Sequence, residues 1–411
     1  MYRGHTTAVV IPAYNEAGFV GDTIESVPAF VDRVYVVEDG STDDTWQEIR
    51  ETASAVNESQ SGQFPDRVVP IRHERNRGVG GAIKTGYLRA REERIDVTAV
   101  MGGDGQMDPE VLGDLFDPIL DGRADYTKGN RLLGRTDRGD MPRFRFVGNA
   151  ILTALTKIAS GYWAGGDSQS GYTAISLHAL EQADIESMYE FYGYCNDILV
   201  KLNVAGMRVV DVPRPIRYAD EDSHIKYHTY VPRVSLMLAR NFLWRLKTKY
   251  LVFDFHPLVG AYAAGGVASL TAVLAAVWAL PGVGRFGTPT ARAGFAVVFG
   301  LLGVLSFVAA MVLDAAANDE LNDTETPDDS APTPTEPAVA TDASASQRPA
   351  SAVDGNSGSG ASRERAVSVT LEPREWRYVL DADPGEEPSS IAARIRERIR
   401  EHRQQADTAA D

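Results

Sequence analysis

Over its first 250 residues the chain alternates short apolar runs with polar, glycine-rich turns. "TAVVIPAYNE", "RVYVVEDGSTDDT", "RVVPIRHERNRGVGGAIKTGY" and "DVTAVMGGDGQ" each close an apolar run in such residues, with helix-period stretches between them. That succession predicts an α/β domain built on a mostly parallel, Rossmann-like sheet. Ligands of such sheets bind beyond the carboxyl ends of the strands. Asn15, Glu16, Asp39, Asn76 and Asp104 are therefore expected at one edge, although they are scattered from position 15 to position 104.

The pattern then changes twice. "PLVGAYAAGGVASLTAVLAAVWAL" (257–280) and "AGFAVVFGLLGVLSFVAAMVL" (293–313) contain no charged residue, and each is long enough to cross about 30 Å of hydrocarbon as a helix. Arg240, Arg245, Lys247 and Lys249 precede the first, whereas the connector carries only Arg285 and Arg292. The positive-inside bias places the N-terminal region in the cytosol, and two spans return the C-terminus to that side of the cell membrane. From 318 to 363 the sequence is rich in Asp, Glu, Pro, Ser, Thr and Ala, which predicts a disordered acidic linker. Beyond it, 364–411 holds a strand-like "AVSVTLEPREWRYVL" and a charge-paired helical "SSIAARIRERIREHR", a small element whose protein partner the sequence does not name.

Composition narrows the classes. A net charge of -16 argues against a nucleic-acid partner, which clustered Lys and Arg would have to meet. Only seven of the 41 basic residues are lysines while Asp and Glu total 57, a composition like that of a halophilic archaeon. The single Cys195 excludes an internal disulfide framework and a cysteine-based zinc site. Residues 1–12 lack the basic start and apolar core of a signal peptide.

"GVGGAIKTG" fits neither a dinucleotide fingerprint, for want of the third glycine, nor a phosphate-binding loop, because Ile83 stands where the glycine before Lys84 belongs. It reads as a glycine-rich helix start, suited to a diphosphate or to close strand–helix packing. "VMGGDGQMDPE" delivers Asp104, Gln106 and Asp108 to the end of an apolar run, as a metal-binding turn would, yet Gly102 occupies the place of a first acid. Magnesium takes one or two protein carboxylates and completes its shell from phosphates and water, so a turn with the first acid missing can still hold it.

In order, "IPAYNE", "VEDGSTDDT", "NRGVGGAIKTGY", "GGDGQMDPE", "GNR" and "SGYTAIS" resemble the GT-A fold of inverting family 2 glycosyltransferases. The basic segment and the two apolar stretches that follow resemble the dolichyl-phosphate mannose or glucose synthase branch, so the likeness covers about 6–315. It implies a glycosyltransferase domain over 1–230, an amphipathic interfacial helix with connector over 231–256, and the two spans. It further implies that Pro12, Tyr14, Asn15 and Glu16 line the nucleotide pocket, that Asp39 holds base or ribose, and that Lys84 contributes to the donor site. Asp104 and Gln106 would bind Mg2+ or Mn2+, with Gly102 departing from the family's Asp-x-Asp.

The implied reaction moves one hexose from a nucleotide sugar (GDP-mannose or UDP-glucose type) to dolichyl or polyprenyl phosphate. Such an acceptor is already ionised near pH 7 and needs no general base. The protein must supply charge: Asp104 through its metal, and Arg131, Arg143 and Arg145 around the incoming phosphate, with Lys226 a weaker candidate. "PRFRFVGNAILTALTKIAS" and "VPRVSLMLARNFLWRLKTKY" set basic residues beside apolar faces at helical spacing, fitting the bilayer interface or, for the first, a core-facing helix. Asp167 borders the acceptor side; Asp197 stands where processive relatives carry a base, or caps a helix. The competing readings are transfer to a glycan hydroxyl and a noncatalytic scaffold that binds nucleotide sugar.

Overall fold

The computed structural model describes residues 1–59, 63–131, 143–213, 227–253, 255–280 and 287–324, with the side chains of 143–147, 149, 227–229, 253, 323 and 324 outside that description. In chain order the elements are β1 (Thr7–Ala13), α1 (Val20–Ser26), β2 (Arg33–Glu38), α2 (Thr45–Ser59), β3 (Val68–Arg72), α3 (Val79–Glu92), β4 (Val97–Val100), α4 (Leu112–Leu120) and β5 (Tyr126–Asn130). There follow α5 (Arg143–Ser160), β6 (Thr173–Ser176), α6 (Leu177–Gln182), α7 (Tyr194–Val204), β7 (Val209–Pro213), α8 (Tyr227–Lys247), α9 (Leu258–Ala279), α10 (Pro289–Ala317) and β8 (Asn322–Thr324).

The strands form one sheet in the order β3-β2-β1-β4-β6-β5-β7-β8. β3, β2, β1 and β4 run parallel, β6 is antiparallel to both of its neighbours, and β5, β7 and β8 are parallel to one another. The predicted mostly parallel sheet is therefore mixed at one position. Reversal of β6 brings the loop before it, not the one after it, to the edge where the other strands end. Alternation along β1 and β2 sends Val9, Ile11, Val34 and Val36 to one face, under α1, α2 and α4. Ala8, Val10, Tyr35 and Val37 go to the other face, where Ile83 and Tyr87 of α3 pack.

Both long apolar segments are helices, and α10 at 29 residues is about 43 Å long. Leu270, Val273, Leu274, Val298, Leu301 and Leu305 lie exposed along them. α9 and α10 pack closely: a Cβ on Gly303 would collide with Ser269, and one on Gly265 would stand 3.1 Å from the Phe307 ring.

Two expectations change. Of the four cations before the first apolar helix, Arg240 and Lys247 are exposed, but Arg245 is fully buried and Lys249 turns inward to Asn203 and Asn318. The stretch expected as linker from 318 instead begins in order. Asn318 is buried with its amide bonded to Tyr250 and Asp314, and Asn322–Thr324 adds β8 beside β7, so backbone pairing and buried partners supply what apolar content does not. Residues 325–411 lie outside the described residues.

Candidate active site

The carboxyl ends of β3, β2, β1 and β4 bring the first group of expected residues together. Asn15 follows β1 in a left-handed conformation (φ 56°), where its side-chain oxygen accepts from the Thr42 amide (2.9 Å) and its own amide donates to Ser41 (3.0 Å). The Glu16 amide donates to Thr45 (2.8 Å), so the loop after β1 is stitched to the loop after β2. Pro12 lies in β1, its carbonyl accepting from Gly103, and Tyr14 is 45% exposed at the mouth of the edge.

Asp39 is buried directly after β2. Its Oδ1 accepts from the Arg77 amide (2.9 Å) and lies 2.7 Å from His73 Nδ1, while Oδ2 accepts from the Gly78 amide (2.7 Å). This carboxylate shapes the loop after β3 and, through it, the start of α3. An open cleft of about 760 Å³ runs beside that loop, lined by residues 72–77 with Glu190 and Phe191.

The glycines here serve close approach. A Cβ on Gly80 would collide with the Tyr189 carbonyl, and Gly78 (φ 87°) meets the Glu190 carbonyl. Lys84 is buried in α3 and its ammonium pairs with Glu190, which also receives Arg77 (2.8 Å).

Asp104 stands in the turn after β4, its Oδ1 accepting from the Gln106 amide (3.1 Å). A Cβ on Gly102 would lie 3.0 Å from that same oxygen, so Asp104 leans against the space a first acid would enter. Gly105 (φ 71°) turns the chain between Asp104 and Gln106.

Past Asp104 the edge continues with the loop before β6 and the residue after β5. Arg131 forms a two-pronged pair with Asp167, Nε to Oδ2 at 2.7 Å and Nη2 to Oδ1 at 2.9 Å, and its amide donates to the same carboxylate. Asp167 is buried and left-handed (φ 33°). Burial raises its pKa, but the hydrogen bonds and charge of Arg131 outweigh that and hold it below the ordinary carboxylate value. Beneath lies a buried cluster that sequence reading missed: Lys128 pairs with Asp211, which also accepts from Asn130 (2.6 Å) and the Gly166 amide (2.7 Å). Its signal was there, an ionisable residue inside each of the short strands β5 and β7.

Asp197, in the first turn of α7, accepts from the Tyr189 amide (2.8 Å) and from Asn241 of α8 (2.6 Å), and burial raises its pKa. Arg143 and Arg145 open α5, but their side chains, like Lys226 altogether, lie outside the described residues.

Residues 8–182 match the family model described as glycosyl transferase family 2. A UDP-N-acetylglucosamine–dolichyl-phosphate N-acetylglucosaminyltransferase from Methanococcus voltae is 30% identical over 216 residues, covering 52% of this chain and 86% of that protein. The chain belongs to glycosyltransferase family 2. An undecaprenyl-phosphate mannosyltransferase from Micrococcus luteus is 29% identical to this glycosyltransferase over 50% of its chain and 80% of the relative. Among solved structures, glucosyl-3-phosphoglycerate synthase from Mycobacterium tuberculosis, in a complex with Mn2+, uridine diphosphate and phosphoglyceric acid, is 20% identical with a TM-score of 0.42, covering 59% of this chain and 78% of that one. That likeness is too low to bear on chemistry.

The enzyme's sheet is of the GT-A type. The turn after β4 offers one carboxylate and one carboxamide, and that donor set fits a Mg2+- or Mn2+-type ion, which needs only one or two protein carboxylates when phosphates complete its shell.

Proposed function

We propose that this glycosyltransferase transfers a single hexose from a nucleotide sugar, of the GDP-mannose or UDP-glucose type, to dolichyl or polyprenyl phosphate at the cytosolic membrane face, with inversion at the anomeric carbon. The observation that carries the reading is the engagement of Asp197. Asp197, which stands where processive relatives carry a base, is engaged by the Tyr189 amide and Asn241, and an ionised lipid phosphate needs no such base. Relatives named for dolichyl-phosphate and undecaprenyl-phosphate transfer support the same acceptor class.

In this reading a phosphate oxygen of the lipid bonds to the anomeric carbon as that carbon's bond to the nucleotide diphosphate breaks. Arg131, aligned by Asp167, holds the incoming phosphate, with Arg143 and Arg145 beyond it and Lys226 a weaker contributor. Pro12, Tyr14, Asn15 and Glu16 form the nucleotide pocket, Asp39 holds base or ribose while fixing the loop after β3, and Lys84 contributes to the donor site from α3. Asp104 and Gln106 would hold Mg2+ or Mn2+, which when bound offsets charge on the leaving diphosphate.

The membrane setting rests on surface pattern. Ile151 and Leu155 of α5 and Leu236 and Leu243 of α8 are exposed, the latter pair interleaved with exposed Arg240 and Lys247, as suits helices lying at a bilayer surface. α9 and α10 then cross, and the basic α8 sets the catalytic domain on the cytosolic side.

The test is transfer from radiolabelled GDP-mannose, UDP-glucose and UDP-N-acetylglucosamine into organic-extractable lipid. It uses membranes carrying the protein, added dolichyl phosphate, and either metal or chelator. A metal-dependent, mild-acid-labile product is expected. Label recovered only in acid-stable glycan would establish a hydroxyl acceptor, and donor binding without any transfer a scaffold.

A further inference from the structure

Arg245 is the largest fully buried side chain among the described residues, and it lies outside the site. Its guanidinium grips Asp314 of α10 with two bonds, Nη1 to Oδ1 at 2.9 Å and Nη2 to Oδ2 at 2.7 Å, and neither side chain is exposed. The remaining reach goes to α5: Nε donates to the Ala159 carbonyl (2.9 Å) and Nη2 to that of Ile158 (3.1 Å). Those carbonyls belong to the last turn of α5, where intrahelical partners run out and a cation is favoured by the helix dipole. Gly161 (φ 81°) lets the guanidinium pass, since a Cβ there would collide with Nη1. Tyr250 (3.3 Å), Tyr262 (3.4 Å) and Asn318 (2.9 Å) supply Asp314 with further donors. One buried pair thus joins the second apolar helix to the C-terminal end of α5.

The middle of α5 reaches the acceptor half. Lys157 donates to the Trp163 carbonyl (2.8 Å), Thr153 lies 3.4 Å from Ser168, and Asn196 of α7 donates to Thr156 (2.6 Å). Ser168 follows Asp167, which clamps Arg131. A physical chain therefore runs from a carboxylate on α10 to the arginine of the acceptor side.

We propose that Arg245 and Asp314 are positioning residues for the acceptor. The second apolar helix seats α5, α5 seats the loop carrying Asp167, and recognition of the lipid phosphate depends on that seat. The proposal rests on the acceptor reading given above.

The experiment compares the full-length wild type, Asp314→Asn and the double variant Arg245→Met/Asp314→Leu in lipid nanodiscs. The double variant removes both charges and leaves no buried ion unpaired, but methionine cannot donate to the Ile158 and Ala159 carbonyls and leucine cannot accept from Tyr250, Tyr262 and Asn318. Three readouts are taken: KM for polyprenyl phosphate, KM for the nucleotide sugar, and amide hydrogen exchange along α5 and β1.

For Asp314→Asn we expect acceptor KM to rise about tenfold, donor KM to stay within about twofold, and exchange to quicken in α5 but not β1. The double variant should regain part of the thermal stability lost in Asp314→Asn while keeping the raised acceptor KM. A double variant that recovers both would reduce the pair to packing, and unchanged α5 exchange in Asp314→Asn would remove the seat altogether. If wild type transfers nothing to lipid phosphate, the acceptor reading falls by itself, and the exchange data still decide whether α10 seats α5.

Discussion

The two halves of the catalytic edge are held together by different kinds of bond. On the donor half, loops separated by a few tens of residues are knitted mainly through backbone amides, Thr42 to Asn15 and Arg77 and Gly78 to Asp39, with one ion-pair cluster where Lys84 and Arg77 meet Glu190. On the acceptor half, paired side-chain charges carry the geometry, Arg131 with Asp167 and Lys128 with Asp211, and farther off Arg245 with Asp314. Amide-held loops are stiff and tolerate little change. Ion pairs fix a direction but leave it open to competition, which would suit the anionic acceptor proposed above. Asp104 lies where the halves meet.

Asp104→Ala should do the greatest damage because the residue lies where the two halves meet. Loss of the acid that would hold the ion is expected to reduce transfer about 10³-fold, in the same radiolabel assay and at saturating donor and lipid. A variant retaining a tenth of wild-type transfer would show that Asp104 is not the residue through which the metal acts.

The acceptor half should break next, and separately. Arg131→Ala is expected to raise the acceptor KM on the order of 30-fold, corresponding to about 2 kcal/mol for a charge-assisted contact, with donor KM unchanged. Asp167→Asn should raise it less, about fivefold, because the arginine remains but loses its aim. Titration sharpens the point. With Asp167 held below its ordinary value, the stability the pair contributes is fully present above that ordinary value and is lost as pH falls through the lowered one. Equal effects on donor and acceptor KM would erase the distinction between the halves.

Asp39→Asn probes the donor half. Asparagine presents an NH2 group where one of the two Asp39 oxygens now accepts the Arg77 or Gly78 amide, so one buried donor is left unmatched, at a cost of about 1–3 kcal/mol. Donor affinity, measured by calorimetry with nucleoside diphosphate, should fall about tenfold and thermal stability should drop, while acceptor KM holds. Full donor affinity in a destabilised protein would confine Asp39 to folding.

How much of this the sequence disclosed follows the same division. Convergence of Asn15, Asp39 and Asp104 was legible because each parallel strand delivers its following loop to one edge. The two apolar helices were legible from length and composition alone. Charge partners were not. Arg245 sits in a run of cations before an apolar helix, and no local pattern tells that its mate is Asp314, 69 positions on. The same blindness hid Glu190 as the partner of Lys84, and the reversal of β6, whose four residues carry no mark of direction.

Gly102→Asp should have the smallest effect on transfer and says the most about the junction. Gly102 has no left-handed constraint and its missing Cβ faces Asp104 Oδ1 at 3.0 Å, so an aspartate there would set a second carboxylate beside the first. Two adjacent acids repel when no cation is present and share one when it is. Manganese affinity of the donor-free protein, followed by paramagnetic relaxation of water, should therefore tighten about tenfold as a second charged ligand is added. Transfer at saturating metal should change less than about threefold, because in the proposed site substrate phosphates would complete the shell of the natural sequence. If metal affinity stays the same, the ion is not held at this turn. If it tightens and transfer collapses, the single-acid turn is itself a requirement of turnover, with release of the ion and diphosphate slowed by the added charge.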